Sequence, residues 1–355
     1  TSARVQASIL NLYDGARYKG PENLSKSITW ADADLEIPKA LKEISDAGGR
    51  SVLLTQTVIS PSTKKVIQQF LEAYPGTEWI QYDAISASGM LSANMKSFGL
   101  RAIPDYRFDK AKVVVSFAAD FLGTWLSPVE YTKQYTFARR LDDGQRDMLR
   151  HYQIESHMSL TGSNADVRFP VKPSEEAGMV LALYNAIAAK TGGEQISGVP
   201  AIVNVSALAE DLLSAKGKSI VISGSNDENI QLFVNAINQL LGNYGETILW
   251  DSALLTKQGL DAEMAALNAD ILAGKVDALL VWGVNPVYDQ ANGVELEAAI
   301  RSLKLSVSFA ERKEETARAC QYVLPEPNYL ESWNDLEPKV GQLSLAQPTI
   351  SKLFD

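Results

Sequence analysis

The sequence predicts an α/β protein built of two tandem Rossmann-like units, each a three-layer α/β/α sandwich. Three observations predict it. Short β-branched or apolar runs alternate with segments of helical period along most of the 355 residues, the rhythm of parallel strands joined by crossover helices. The cycle runs twice, with local likeness between the two passes. Small or turn-forming residues follow the strands, where open parallel sheets place their ligands.

Residues 1–34 read as an irregular lead-in, broken by Gly15, Gly20 and Pro21. A first half is expected over 35–200. It opens with a strand at 51–55, and Ser60 and Pro61 then supply an N-cap and a first-turn proline for a helix carrying Val66, Ile67, Phe70 and Leu71. Strands at 78–82, 112–117 and 152–156 and a helix near 86–98 complete it. The second half is expected over 201–342. Its strands are 218–222, 246–250, 278–282 and 305–309, and its helices are 227–241, 260–273 and 293–302. Residues 343–355 read as the start of a further segment.

The two sets align. Leu53-Leu54-Thr55 matches Val221-Ile222-Ser223, and 78–83 matches 246–251, each closing on an aspartate. Residues 114–117 match 279–282 after a small shift, and 165–170 match 320–325, each closing on a proline. A duplication of this kind implies a pseudo-two-fold arrangement with a crevice at the strand carboxyl ends.

Composition excludes several functions. The net charge of −10, from 33 basic and 43 acidic residues, argues against nucleic acid as a partner, since that needs clustered Lys and Arg. No apolar run is long enough to span a membrane, so no direct membrane insertion is expected. Thr1 and Asp355 read as ends of a piece of a longer protein, and the lack of a leader says nothing of location. The lone Cys320 cannot supply the four thiolates of an iron–sulfur cluster. His151 and His157 have no partner at metal-ligand spacing, so no metal site is expected. Both histidines read as structural, on one face of a strand.

Two strand ends carry ligand-type residues. After 218–222, Gly224 and Asn226 lie in a small-residue loop whose N–H groups could cradle a phosphate at a helix N-terminus, although the same residues make ordinary turns. After 278–282, Gly283 permits close backbone approach, Asn285 offers a donor and an acceptor, and Pro286 fixes the turn. No residue reads as catalytic.

Gly283-Val284-Asn285-Pro286, with Glu315-Thr316-Ala317, Val323-Leu324-Pro325 and Glu331-Ser332-Trp333, resembles the molybdopterin oxidoreductases, the dimethyl sulfoxide reductase family. Thr161-Gly162 with Ala165-Asp166 resembles the corresponding first-half pattern. The resemblance runs from about residue 35 to 350. It implies that Gly283, Asn285, Pro286, Gly224 and Asn226 stand where a pterin guanine dinucleotide is held. Residues 120–128, 329–333 and 343–350 are similar to the molybdopterin-like iron–sulfur subunits of bacterial alternative complex III, a group of quinol:electron-acceptor oxidoreductases. That likeness implies a non-catalytic module with no cofactor of its own and iron–sulfur clusters only in a C-terminal region beyond this chain. It implies iron–sulfur, haem c and quinol-binding membrane subunits as partners, and a peripheral place on the periplasmic side of the inner membrane. Departures from the catalytic pattern point the same way. Ala118, Asp120 and Phe121 stand where Gly283, Asn285 and Pro286 stand in the other half, and an Asp beside a phosphate is repulsive. Glu175 and Glu176 add acid, and Gln321 replaces an Asp. Two alternatives remain open: a fragment of an active bis-molybdopterin-guanine-dinucleotide oxidoreductase, and a two-lobed nucleotide or small-solute binding protein.

Overall fold

The computed structural model describes residues 3–141, 147–199 and 204–354. The strands, in chain order, are β1 (Glu22–Asn23), β2 (Lys26–Ser27), β3 (Ser51–Thr55), β4 (Thr77–Gln81), β5 (Ile103–Tyr106), β6 (Val113–Phe117), β7 (Arg150–Glu155), β8 (Val167–Pro170), β9 (Ser219–Ser223), β10 (Ile248–Leu254), β11 (Ala278–Trp282), β12 (Leu305–Ser308), β13 (Tyr322–Val323), β14 (Asn334–Lys339) and β15 (Gln342–Ala346). They fall into two compact units, one of Thr1–Ala87 with Leu255–Asp355 and one of Ser88–Leu254.

The first unit holds a sheet in the order β2-β1-β13-β12-β11-β3-β4. Its centre, β12-β11-β3-β4, is parallel, and β1 joins β13 antiparallel. Alternate side chains go to opposite faces. Val52, Leu54, Leu279 and Val281 pack with Met264, Leu267, Leu296 and Ile300 from helices on one side. Leu53, Ala278 and Leu280 pack with Ala33, Ile37, Leu41, Ile44 and Ile67 on the other. This is the expected three-layer sandwich.

The second unit holds the parallel sheet β8-β7-β6-β9. One face packs on the helices Glu176–Thr191, Ser206–Ser214 and Glu228–Leu240 through Val115, Leu183, Leu212, Val234 and Ile237. The other carries His151, with Tyr135 of the helix Pro128–Arg139 and Phe121 packed on its ring.

The structure differs from the sequence expectation in five places. The units are not tandem halves at 35–200 and 201–342. The strand β3 pairs in register with β11, and β6 with β9, so each sheet draws on both ends of the presumed division; the boundary at 200/201 itself lies outside the described residues. Local periodicity identifies strands but not their partners. Second, the lead-in 1–34 is partly regular: β1 extends the sheet, and a helix begins at Trp30 and runs to Asp46. Its signal was present as a capping box, Thr29 accepting from the Asp32 N–H while the Asp32 carboxylate accepts from the Thr29 N–H. Third, residues 342–346 are not the start of a new segment but the second strand of a hairpin with β14. Fourth, only His151 lies on a strand, while His157 is exposed beyond its end.

The counterpart of β4 also fails to form in the second unit. There β10 pairs antiparallel with β5 instead of lying parallel beside β9. Asn238 supplies the reason. Its side chain accepts from the Val221 N–H at 3.1 Å and donates to the Val221 carbonyl at 2.7 Å. The edge of β9 is satisfied by a side chain, so no strand is needed there.

Candidate functional site

In each unit the central strand ends in the same clasp. In the first, β11 turns at Gly283, which has φ +69°. Asn285 Oδ1 accepts from the Thr316 N–H at 3.1 Å and the Thr316 hydroxyl at 2.7 Å, and Thr316 Oγ1 accepts from the Val287 N–H at 3.1 Å. In the second, β6 turns at Ala118, which has φ +51°. Asp120 Oδ1 accepts from the Thr161 N–H at 3.0 Å and the Thr161 hydroxyl at 2.7 Å, and Thr161 Oγ1 accepts from the Leu122 N–H at 2.9 Å. Beside each turn the neighbouring strand donates alike: Gln56 N–H to the Trp282 carbonyl at 3.1 Å, and Gly224 N–H to the Phe117 carbonyl at 2.8 Å. The alignments of 53–55 with 221–223 and of 114–117 with 279–282 therefore hold atom by atom.

The glycines have exchanged sides. A Cβ on Gly283 would come within 2.7 Å of the Gln56 side chain. A Cβ on Gly224 would come within 2.5 Å of the Ala118 carbonyl oxygen. Each close approach is made by the chain to itself.

What lies around the clasps differs. The first opens into a cavity of ≈ 440 Å³ lined by Gly283 and Asn285 together with Asp83, Asp289, Glu311, Glu314 and Glu326. Two cations, Lys257 and Arg312, also line it. Lys257 is 3.7 Å from Asp83, and Arg312 pairs with Asp14. Asp83 is further fixed by the Thr57 hydroxyl at 2.8 Å and the Gly259 N–H at 3.0 Å. Burial, reinforced by Glu315 and Asp289, pushes the Glu314 carboxyl up to about 7. Burial also raises Asp289 and Glu326. Asn285 Nδ2 donates to Glu315 at 2.8 Å, so most of its hydrogen-bonding capacity is internal. Pro286 opens the short helix Pro286–Asp289 and is buried.

In the second unit Phe121 replaces the proline, and its ring stacks on Phe108 with centroids 4.5 Å apart. The Asp120 charge is taken up by Thr161 and, through Oδ2, by the Thr124 hydroxyl at 3.3 Å. Beneath it runs a buried polar row on β7. His151 Nε2 faces Gln153 at 3.2 Å, Gln153 donates to Glu155 at 3.1 Å, and Glu155 pairs with Arg168 at 2.6 Å. Burial pushes His151 down to about 4, so it is neutral at pH 7.

The loop expected to cradle a phosphate is committed otherwise. Asp227, not Gly224 or Asn226, caps the helix Glu228–Leu240, accepting from the N–H groups of Asn229 and Ile230. Its carboxylate stands where an external anion would have to bind. Asn226 accepts from the Gly89 N–H at 2.8 Å and so fastens the start of the helix Ser88–Phe98. Gly283 and Asn285 thus share one cavity, whereas Gly224 and Asn226 serve joints inside the other unit. Sequence reasoning missed Glu314, Glu326 and Gln56 as cavity neighbours. It noted Asp83 only as a repeated strand-end residue, and no local pattern marked the other three. Cys320 is buried, its thiol pushed up to about 12 by burial. Among the described residues no group of three or more His, Cys, Asp or Glu is arranged to hold a metal ion, and no helix is long and apolar enough to cross a membrane.

Comparison with known proteins follows the same lines. The family model described as molybdopterin oxidoreductase matches residues 18–337. The chain is 23% identical to the menaquinone reductase, molybdopterin-binding-like subunit, of Nitratidesulfovibrio vulgaris, over 100% of this chain and 57% of that one. It is 28% identical over 31% of its length to the arsenate respiratory reductase molybdopterin-containing subunit of Chrysiogenes arsenatis, covering 12% of that protein. Among solved structures, acetylene hydratase from Pelobacter acetylenicus superposes with a TM-score of 0.74 at 13% identity, over 96% of this chain and 59% of that one. A formyltransferase/hydrolase complex from Methylorubrum extorquens gives 0.57 at 13% identity, over 88% and 90%. At these identities the structures speak for the fold alone. The chain spans little more than half the length of the menaquinone reductase subunit.

Proposed function

The chain belongs to the molybdopterin oxidoreductase family, and from that premise we propose that it is a non-catalytic structural module of a membrane-associated respiratory complex that exchanges electrons with quinol. In that role it packs against iron–sulfur, haem c and quinol-binding membrane subunits on the periplasmic side of the membrane, as in alternative complex III. The observation that carries this reading is the charge of the cavity beside Gly283. Five carboxylates line it, and both lining cations are already in ion pairs. A pterin guanine dinucleotide brings a pyrophosphate, which needs donors and positive charge and here meets the reverse. The space against Gly283 is taken by Gln56, and the helix N-terminus after β9 is capped by Asp227. The residues present therefore do not suit that cofactor, and no step of a reaction is assigned to it. The fold is retained as architecture. The name of the Nitratidesulfovibrio relative, a molybdopterin-binding-like subunit of a quinone-linked reductase, agrees with this reading.

Metal and pterin analysis of the full-length protein, purified with its complex, is the test. The expected result is molybdenum and tungsten far below one atom per chain, with no fluorescent pterin after acid oxidation. A stoichiometric metal with two pterins overturns the proposal.

A further inference from the structure

A second cavity lies in the first unit, on the opposite face of β11 from the helix packing described around Val281. It measures ≈ 490 Å³, and its walls include Trp30, Phe70, Leu280, Trp282 and Phe309. It sits at the carboxyl ends of β11 and β12, where open α/β sheets take their ligands. Its size is that of a small-molecule site. Aromatic rings come from two helices on one side, Trp30 of Trp30–Asp46 and Phe70 of Pro61–Ala73, and from strand ends on the other, a slot suited to a flat ring. Its mouth is bordered by Val66, which is exposed.

The pocket has one ionisable group, Glu326, which lines it together with the acidic cavity. Glu326 is held from behind: its N–H donates to the Phe309 carbonyl at 3.3 Å, and its Oε2 accepts from Trp282 Nε1 at 2.6 Å. Its other carboxylate oxygen accepts no hydrogen bond among the described residues. Glu326 is half-buried and that oxygen is not among the fully buried unpaired atoms, so a ligand can reach it, and a carboxylate oxygen at the edge of an apolar wall confers selectivity for a ligand that supplies the donor.

We propose that this pocket binds a flat aromatic molecule bearing a hydroxyl or N–H donor, its ring between the aromatic walls and its donor on the open oxygen of Glu326. The proposal is independent of whether the other cavity holds a cofactor. It assigns the face of the sheet away from the family's clasp a ligand-binding role, with Glu326 as the residue that sets specificity.

The test is a titration of the full chain with 2-naphthol and with 2-methoxynaphthalene, followed by quenching of tryptophan fluorescence. Both probes have the ring, and only the first has the donor. Saturable binding of 2-naphthol is expected, with the methoxy compound about tenfold weaker, the size of one hydrogen bond to a charged or strongly polar acceptor. Val66→Trp, at the exposed mouth, should abolish binding of both without unfolding the chain. Glu326→Leu should bring the two affinities together. Absence of saturable binding overturns the proposal. So do equal affinities in the unaltered chain, or unchanged binding to Val66→Trp, which would put the ligand elsewhere.

Discussion

The clasp at Gly283 and the clasp at Ala118 are built from the same hydrogen bonds, yet one faces an acidic cavity and the other an aromatic core. The difference shows that the conserved part of the motif is a joint. Asn285 and Asp120 both spend Oδ1 on the N–H and hydroxyl of a threonine in the first turn of a later short helix, Glu315–Ala319 and Leu160–Ser163. The acid at position 120 is therefore no mark of a spoiled phosphate site, because its charge is met by donors of its own chain. What distinguishes the regions is the residue after it. Proline leaves space, whereas Phe121 fills it and stacks on Phe108.

Four tests, with six substitutions between them, would break or sharpen this comparison. The largest effect is expected from Asn238→Ala. It strips the side chain that satisfies both polar groups of Val221, with no counterpart of β4 to replace it. Two buried backbone groups left unpaired cost about 3 kcal/mol, which urea unfolding would register. A loss below about 1 kcal/mol would mean that water or another strand takes the edge of β9.

Next come the two exchanged glycines. Gly224→Ala drives a Cβ against a backbone oxygen and should cost about 2–3 kcal/mol. Gly283→Ala meets only the movable Gln56 side chain and a positive φ, for about 1–2 kcal/mol. Thermal melts of the pair test the order, and the reverse order would show that the first clasp is the more rigid.

The clasp residues themselves can then be swapped. Asn285→Asp places a carboxylate where Nδ2 now donates to Glu315, a loss of about 1 kcal/mol at pH 7 that acid relieves. Asp120→Asn keeps Oδ1 as an acceptor and should cost less than about 1 kcal/mol. Equal costs in denaturant titration would contradict the claim that only the first clasp sits in an acidic field.

The smallest effect is pH-dependent. Glu314 is harder to ionise folded than unfolded, with its carboxyl raised from 4.5 to about 7. Its contribution favours the fold fully below the unfolded value and is lost as pH rises through about 7. Glu314→Gln should therefore raise the melting temperature at pH 8.5 and leave it nearly unchanged at pH 4. A gain of the same size at both would trace the effect to packing.

Much of this was legible in the residues alone. The alternation of β-branched runs with amphipathic segments gave the three-layer class, because parallel strands buried on both faces need continuous apolar runs. The aligned segments gave the duplicated clasp, since equal chain paths need equal turn residues. Gly283 and Asn285 were identifiable as neighbours at one strand end because they are adjacent in sequence. The acidic cavity was not legible: Asp83, Glu314 and Glu326 come from three separate strand ends, and nothing local says that they converge.

The sequence by itself determined the elements, the two turns and the overall negative charge, which follow from short-range sterics and composition. Only the tertiary structure decided that β3 pairs with β11 and β6 with β9, and that Asn238 closes an edge. Those outcomes rest on contacts between residues far apart in the chain, whose partners are fixed by burial and hydrogen-bond satisfaction rather than by local propensity.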